Sequence, residues 1–69
     1  MRYSINYFGA YYADDTDGFN CHFYTNWDSA RAEQLGLWSV GKRDVVLKDE
    51  DYGCSLSWNA QSGDWEWDC

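Results

Sequence analysis

The sequence predicts an α+β fold: one domain over residues 1–69, in which a single short helix packs on an antiparallel sheet of about five strands in the order β-β-α-β-β-β. Three observations lead there. Apolar and polar residues alternate along most of the chain, the period of a half-buried strand. Only one stretch, near the middle, drops the alternation for helix-compatible residues. Clusters of Gly, Asp, Asn and Ser punctuate the alternating runs at intervals typical of turns.

Arg2 to Tyr12 opens the chain as a strand, with Tyr3, Ile5 and Tyr7 on one side and Arg2, Ser4 and Asn6 on the other. Ala13-Asp14-Asp15-Thr16-Asp17-Gly18 reads as a turn, with Gly18 supplying positive φ. Phe19, Cys21 and Phe23 then alternate with Asn20, His22 and Tyr24, so the two runs form a β-hairpin. Asn26 or Asp28 caps a helix that runs to Leu35, through Ala30, Arg31, Ala32, Glu33 and Gln34, and Gly36 is a natural stop. Trp27, Ala30 and Leu35 are expected to face the sheet. The remainder reads as a meander. Strands at Trp38–Val40 and Val45–Lys48 flank a turn at Gly41–Asp44, and Asp49–Gly53 is the next turn. Cys54, Leu56 and Trp58 alternate with Ser55, Ser57 and Asn59. After Ala60–Gly63, Trp65 and Trp67 alternate with Asp64, Glu66 and Asp68, which makes this last hairpin the clearest in the chain.

A chain of 69 residues must bury apolar area densely to offset its ordering entropy. Five Trp, six Tyr and three Phe supply that area, since each ring buries about 150–250 Å². This aromatic content separates the chain from disordered acidic segments. No apolar run approaches membrane-spanning length, and the N-terminus lacks the smooth apolar core of a signal peptide. The chain accordingly reads as a complete cytoplasmic product. Cys21, Cys54 and Cys69 are odd in number and form no CxxC, so the expectation is free thiols in a reducing compartment. Cys21 and Cys54 are expected in the core, while the terminal Cys69 is open to intermolecular pairing.

Twelve Asp and Glu face five Lys and Arg, giving a net charge of −7. The acids form three clusters: Asp14, Asp15 and Asp17 at a hairpin tip; Asp49, Glu50 and Asp51 at a second turn; and Asp64, Glu66 and Asp68 as a row along the last strand. At about 3.4 Å rise per residue, that row spaces carboxylates roughly 6.8 Å apart. A nucleic acid strand carries one phosphate per about 3.4 Å, so the row offers the charge of every second phosphate. The bland counterpart is a set of solvated turns and a charged strand edge that keeps a small sheet from aggregating.

Other chemistries fit less well. Asp15-x-Asp17-Gly18 is similar to the middle of a calcium loop, but Ala13 and Tyr24 occupy the first and last ligand positions. His22, the only histidine, sits beside Cys21 on a strand and therefore points to the opposite face, which rules out a direct nucleophile–base pair. Three dispersed cysteines contain no local zinc-ligand pair. No two carboxylates are set apart in an apolar pocket, as acid–base catalysis requires. Lys42, Arg43 and Lys48 are too few to neutralise phosphates, so direct nucleic-acid binding is disfavoured. The expectation is a binding protein, neither an enzyme nor a cofactor carrier.

Its expected partner is a basic protein, in particular a nucleic-acid-binding host complex whose groove is blocked by phosphate-like charge. The three acidic clusters would steer the encounter, and Tyr11, Tyr12 and Tyr24 would anchor it. In size, acidity and α+β architecture the chain resembles the small acidic proteins that phages and mobile elements direct against host defence, including anti-CRISPR proteins and DNA mimics. The resemblance implies an inhibitor acting in the host cytoplasm; it assigns no residue a role. A competing expectation is a carbohydrate or methylated-cation module built on Trp58, Trp65 and Trp67. The sheet edges and Cys69 also leave room for a homodimer.

Overall fold

The computed structural model describes residues 1–69 as one antiparallel sheet with one helix. The elements are β1 (Tyr3–Phe8), β2 (Phe19–Tyr24), α1 (Trp27–Ser39), β3 (Val46–Asp49), β4 (Cys54–Asn59) and β5 (Asp64–Asp68). The strands lie in the order β2-β1-β3-β4-β5, so β2 and β5 are the two edges. No helix is long and apolar enough to cross a membrane.

The core lies between α1 and one face of the sheet. Tyr3, Ile5 and Tyr7 from β1, Val45 just before β3, Leu47 from β3, and Leu56 from β4 are buried beneath Ala30 and Leu37 of the helix. Register explains why these residues meet. Ile5 pairs with Leu47 and Leu47 with Leu56, and cross-strand partners share a face. Gln34, fully buried among them, joins the two layers. Its amide nitrogen donates to the carbonyls of Val45 (3.1 Å) and Leu56 (2.8 Å), and its oxygen accepts from Arg31 (2.7 Å).

The helix begins as expected. The Asn26 side chain caps it by accepting from the Ser29 amide at 2.8 Å. It ends later than expected, because Gly36 is an interior helical residue and the Trp38–Val40 segment is helix and cap instead of strand. The buried side is Ala30, Gln34 and Leu37, spaced four and three apart, so burying Leu37 keeps the chain helical through Gly36. Leu35 faces away and is exposed. The stop is Gly41, at φ +104°. Its amide bonds the Trp38 carbonyl and the Lys42 amide bonds that of Leu37, which together make a Schellman cap.

The first strand is also shorter than the alternation suggested. Gly9, at φ +87°, turns the chain out of β1, whereas Gly18 does not adopt positive φ. Tyr11 and Tyr12 therefore sit in the loop between β1 and β2.

The cysteines depart from expectation most. Cys54 and Cys69 form a disulfide across the open end of the β4–β5 hairpin, which places neither in the core. Ser55 pairs with Asp68, so the next residues outward face each other. Cys21 is the one free cysteine, half-buried on the face of the sheet that the helix does not cover.

Candidate protein-binding face

The register of the first hairpin decides what the uncovered face carries. Ile5 pairs with His22, Tyr7 with Asn20 and Tyr3 with Tyr24. The polar members of β2 thus lie on the helix side. Phe19, Cys21 and Phe23 turn outward, level with Phe8, Asn6 and Ser4. Phe8, Phe19 and Phe23 are 69%, 59% and 56% exposed. Phe8 and Phe19 meet edge to face at 6.5 Å.

The inversion is stabilised from the helix side. Asn20 is buried, accepts from the Thr16 amide (2.9 Å) and donates to the carbonyls of Gly9, Thr16 and Gly18. His22 Nε2 lies 3.1 Å from Asp15 and 3.0 Å from the Tyr7 hydroxyl. A polar pair hydrogen-bonded to the loop and to Tyr7 can sit inward, and the aromatic residues of the same strand are then forced out.

The acidic clusters are divided among different environments. The Asp15 carboxylate is 1% exposed and takes hydrogen bonds from the Tyr7 hydroxyl and from the amides of Tyr11 (3.0 Å) and Tyr12 (2.8 Å). Burial alone would raise its pKa. The hydrogen bonds from Tyr7, the two amides and His22 outweigh burial and hold the group below the usual carboxylate range. Asp49 is likewise internal, 8% exposed and gripped by Arg2 through two bonds of 3.2 and 3.1 Å. That guanidinium, opposed in part by burial, lowers the Asp49 pKa. Asp51 lies 3.6 Å from Arg2. Asp15 and Asp49 therefore hold the fold together and present no carboxylate to a partner.

Asp14 and Asp17 remain exposed on the β1–β2 loop, at the opposite end of the sheet from Glu50 and Asp51. Tyr12 donates to Glu33 of the helix, and Tyr24 lies beside the same carboxylate. Burial first, then the Glu33 charge, pushes the Tyr24 phenol up to about 12. Of the three tyrosines expected at an interface, Tyr12 and Tyr24 are tied to the helix. Tyr11 is exposed, edge to face with Tyr12 at 4.9 Å.

The third cluster lies where the Phe patch lies. Asp68 pairs with Ser55, Glu66 with Ser57 and Asp64 with Asn59, so all three carboxylates share the open face on the β5 edge. Ser55 pairs with Lys48, Lys48 with Ser4 and Ser4 with Phe23, which traces one continuous row from the acids to the aromatics. Four strand spacings separate β2 from β5, roughly 19 Å. Glu50 belongs to this face too, since it accepts from Ser4 at 2.9 Å.

The cations lie elsewhere, Lys48 excepted. Arg2 is bound to Asp49. Arg31 and Arg43 stack at 4.4 Å over Trp65 and Trp38. Lys42 donates to the carbonyls of Phe8 (3.1 Å) and Gly9 (3.0 Å). Lys48, 3.9 Å from Glu50, is the only basic residue on the open face.

The tryptophans are on the opposite side. Trp58 and Trp65 pair across the last hairpin, and Trp38 of the helix packs on both at 5.1 and 5.9 Å. Their planes are tilted by 50–74° to one another, an interlocked cluster with no common plane for a sugar ring. Trp67 stacks on Trp27 at 5.7 Å, fastening the end of β5 to the start of the helix.

Comparison of the chain with protein-family models, with curated proteins and with solved structures returns no match.

Proposed function

We propose that the protein is a non-enzymatic inhibitor that binds a basic surface of another protein through the open face of its sheet. One observation carries this reading: three exposed phenylalanines and the Asp64, Glu66 and Asp68 row share a single uncovered face, while four of the five cations are engaged elsewhere. An apolar patch gives a partner area to desolvate, and flanking carboxylates select a basic partner and speed the encounter. Aromatic area left in water is a cost to solubility, and an interface offsets that cost.

The target chemistry that fits is a nucleic-acid-binding groove. There the carboxylate row stands in for phosphates and the phenylalanines for stacked bases. A phage or mobile-element inhibitor of host defence, of anti-CRISPR or DNA-mimic type, has this form, and its site of action is the host cytoplasm. In that compartment the Cys54–Cys69 pair meets a reducing pool, so the reading requires binding with the pair reduced.

The test is affinity capture from a bacterial host lysate, eluted across a salt gradient and, separately, by competing DNA or RNA. A nucleic-acid-binding complex displaced by nucleic acid supports the reading. Retention of the same complex, with the same salt dependence, by the triple Asp64→Lys, Glu66→Lys, Asp68→Lys variant overturns it.

A further inference from the structure

We infer that the hollow beside Phe8 and Phe19 receives an arginine side chain of the partner, an inference that rests on the protein-binding reading above and names its anchor. The hollow is open, about 320 Å³, and lined by Asn6, Tyr7, Phe8, Phe19, Asp44 and Val46. Its walls are aromatic and aliphatic, and its one charged member is Asp44. That carboxylate is exposed, forms no ion pair and accepts no hydrogen bond from the chain. An apolar wall with a single free carboxylate suits a side chain with a methylene stem and a cationic head.

The molecule shows how it treats such groups. Each of its three arginines places its guanidinium over an aromatic ring: Arg2 at 5.1 Å over both Tyr3 and Tyr52, Arg31 over Trp65 and Arg43 over Trp38. Arg2 completes the arrangement with a two-point bond to Asp49. Phe8, Phe19 and Asp44 repeat the ring-plus-carboxylate set on the open face, where no guanidinium of the chain reaches. A planar guanidinium stacks on a ring and pairs with a carboxylate together, which an ammonium does less well. A second copy of this chain is the weaker occupant. Its open face would bring another acidic row, on a molecule of net charge −7, against the first.

The test is a nuclear magnetic resonance titration of the whole protein with three short capped peptides, the first two built on glycine. One contains a single arginine, one contains citrulline in its place, and one is an oligolysine that reports charge alone. The inference expects the arginine peptide to shift Phe8, Phe19, Asp44 and Val46, and the citrulline peptide to leave them unmoved. Asp44→Asn should weaken the arginine peptide about three- to fivefold, the loss of one exposed ion pair. Phe19→Ser, at an exposed position, should weaken it without touching the core. Shifts confined to Asp64, Glu66 and Asp68 with arginine and oligolysine alike would overturn the hollow and leave the acidic-surface reading standing. No shift from any basic peptide would overturn both. Concentration-dependent shifts of the three phenylalanines without peptide would assign the face to a second copy and overturn the inference.

Discussion

Ile5 lies directly opposite His22 across the first hairpin, and this pairing sets the inside and outside of the sheet. It puts Ile5, fully buried, under the helix and gives His22 to the Asp15–Tyr7 cluster. By the same parity it exposes Phe19 and Phe23.

The two faces should therefore respond oppositely to truncation. Ile5→Ala or Leu47→Ala removes a fully buried side chain and should cost about 3–4 kcal/mol in chemical denaturation. Phe19→Ser and Phe23→Ser should stay within about 1 kcal/mol of wild type. A large loss at Phe23 would mean that the open face is covered in solution.

Gln34 is the second point of leverage. Gln34→Leu fills similar volume but leaves the buried Val45 and Leu56 carbonyls without their donor, which should cost about 2–4 kcal/mol. The Ala variant should be less stable than the Leu variant by about 2–3 kcal/mol, because it loses the same hydrogen bonds and leaves a cavity as well. Urea midpoints of the two variants check this.

Alkaline pH should unfold the protein through its tyrosines. Tyr24, through burial and the Glu33 charge, is raised to about 12 from an ordinary value near 10. Between those values the folded state holds a proton that the unfolded state has released. That contribution is complete below pH 10 and disappears as pH rises toward 12. Glu33→Gln removes the charge and should move the tyrosinate absorbance transition to lower pH. An unchanged transition would contradict the assigned contact. On the acid side the sign reverses. The depressed Asp15 pKa keeps its contribution intact above the ordinary carboxylate range and loses it only in strong acid. Asp15→Asn should therefore flatten the acid limb of a pH–stability curve.

The Cys54–Cys69 bond closes a hairpin of 15-residue separation, and reduction should cost about 3 kcal/mol through the entropy of the unfolded chain. The fold should survive the loss, since Trp65 and Trp67 still hold β5 to the helix. Thermal melts with and without reductant measure it.

Much of this architecture was legible in the chain, because strand alternation and the Asn26 cap are local signals. What escaped was set by contacts distant in sequence. Gly36 looks like a stop until Leu37 is known to be buried, and Trp38-Ser39-Val40 alternates like a strand although Trp38 alternates against nothing. Apolarity alone turns Phe19 and Phe23 inward; only the hydrogen bonds of Asn20 and His22 to the loop reverse them. The disulfide had a signal. Cys54 lies six residues before Ala60 and Cys69 six after Gly63, so the turn between them makes the two cysteines partners. For the site, the Asp64, Glu66 and Asp68 row follows from alternation, whereas the internal roles of Asp15 and Asp49 depend on Tyr7 and Arg2, which no spacing rule connects to them.

The most direct test compares two variants for binding to the complex captured from lysate. One carries Phe23→Ser with Glu66→Lys and Asp68→Lys on the open face. The other carries Asp14→Lys and Asp17→Lys on the β1–β2 loop, an equally acidic but separate site. The account predicts that the open-face variant loses the complex while the loop variant retains it, with both remaining folded. Loss by the loop variant and retention by the open-face variant would contradict it.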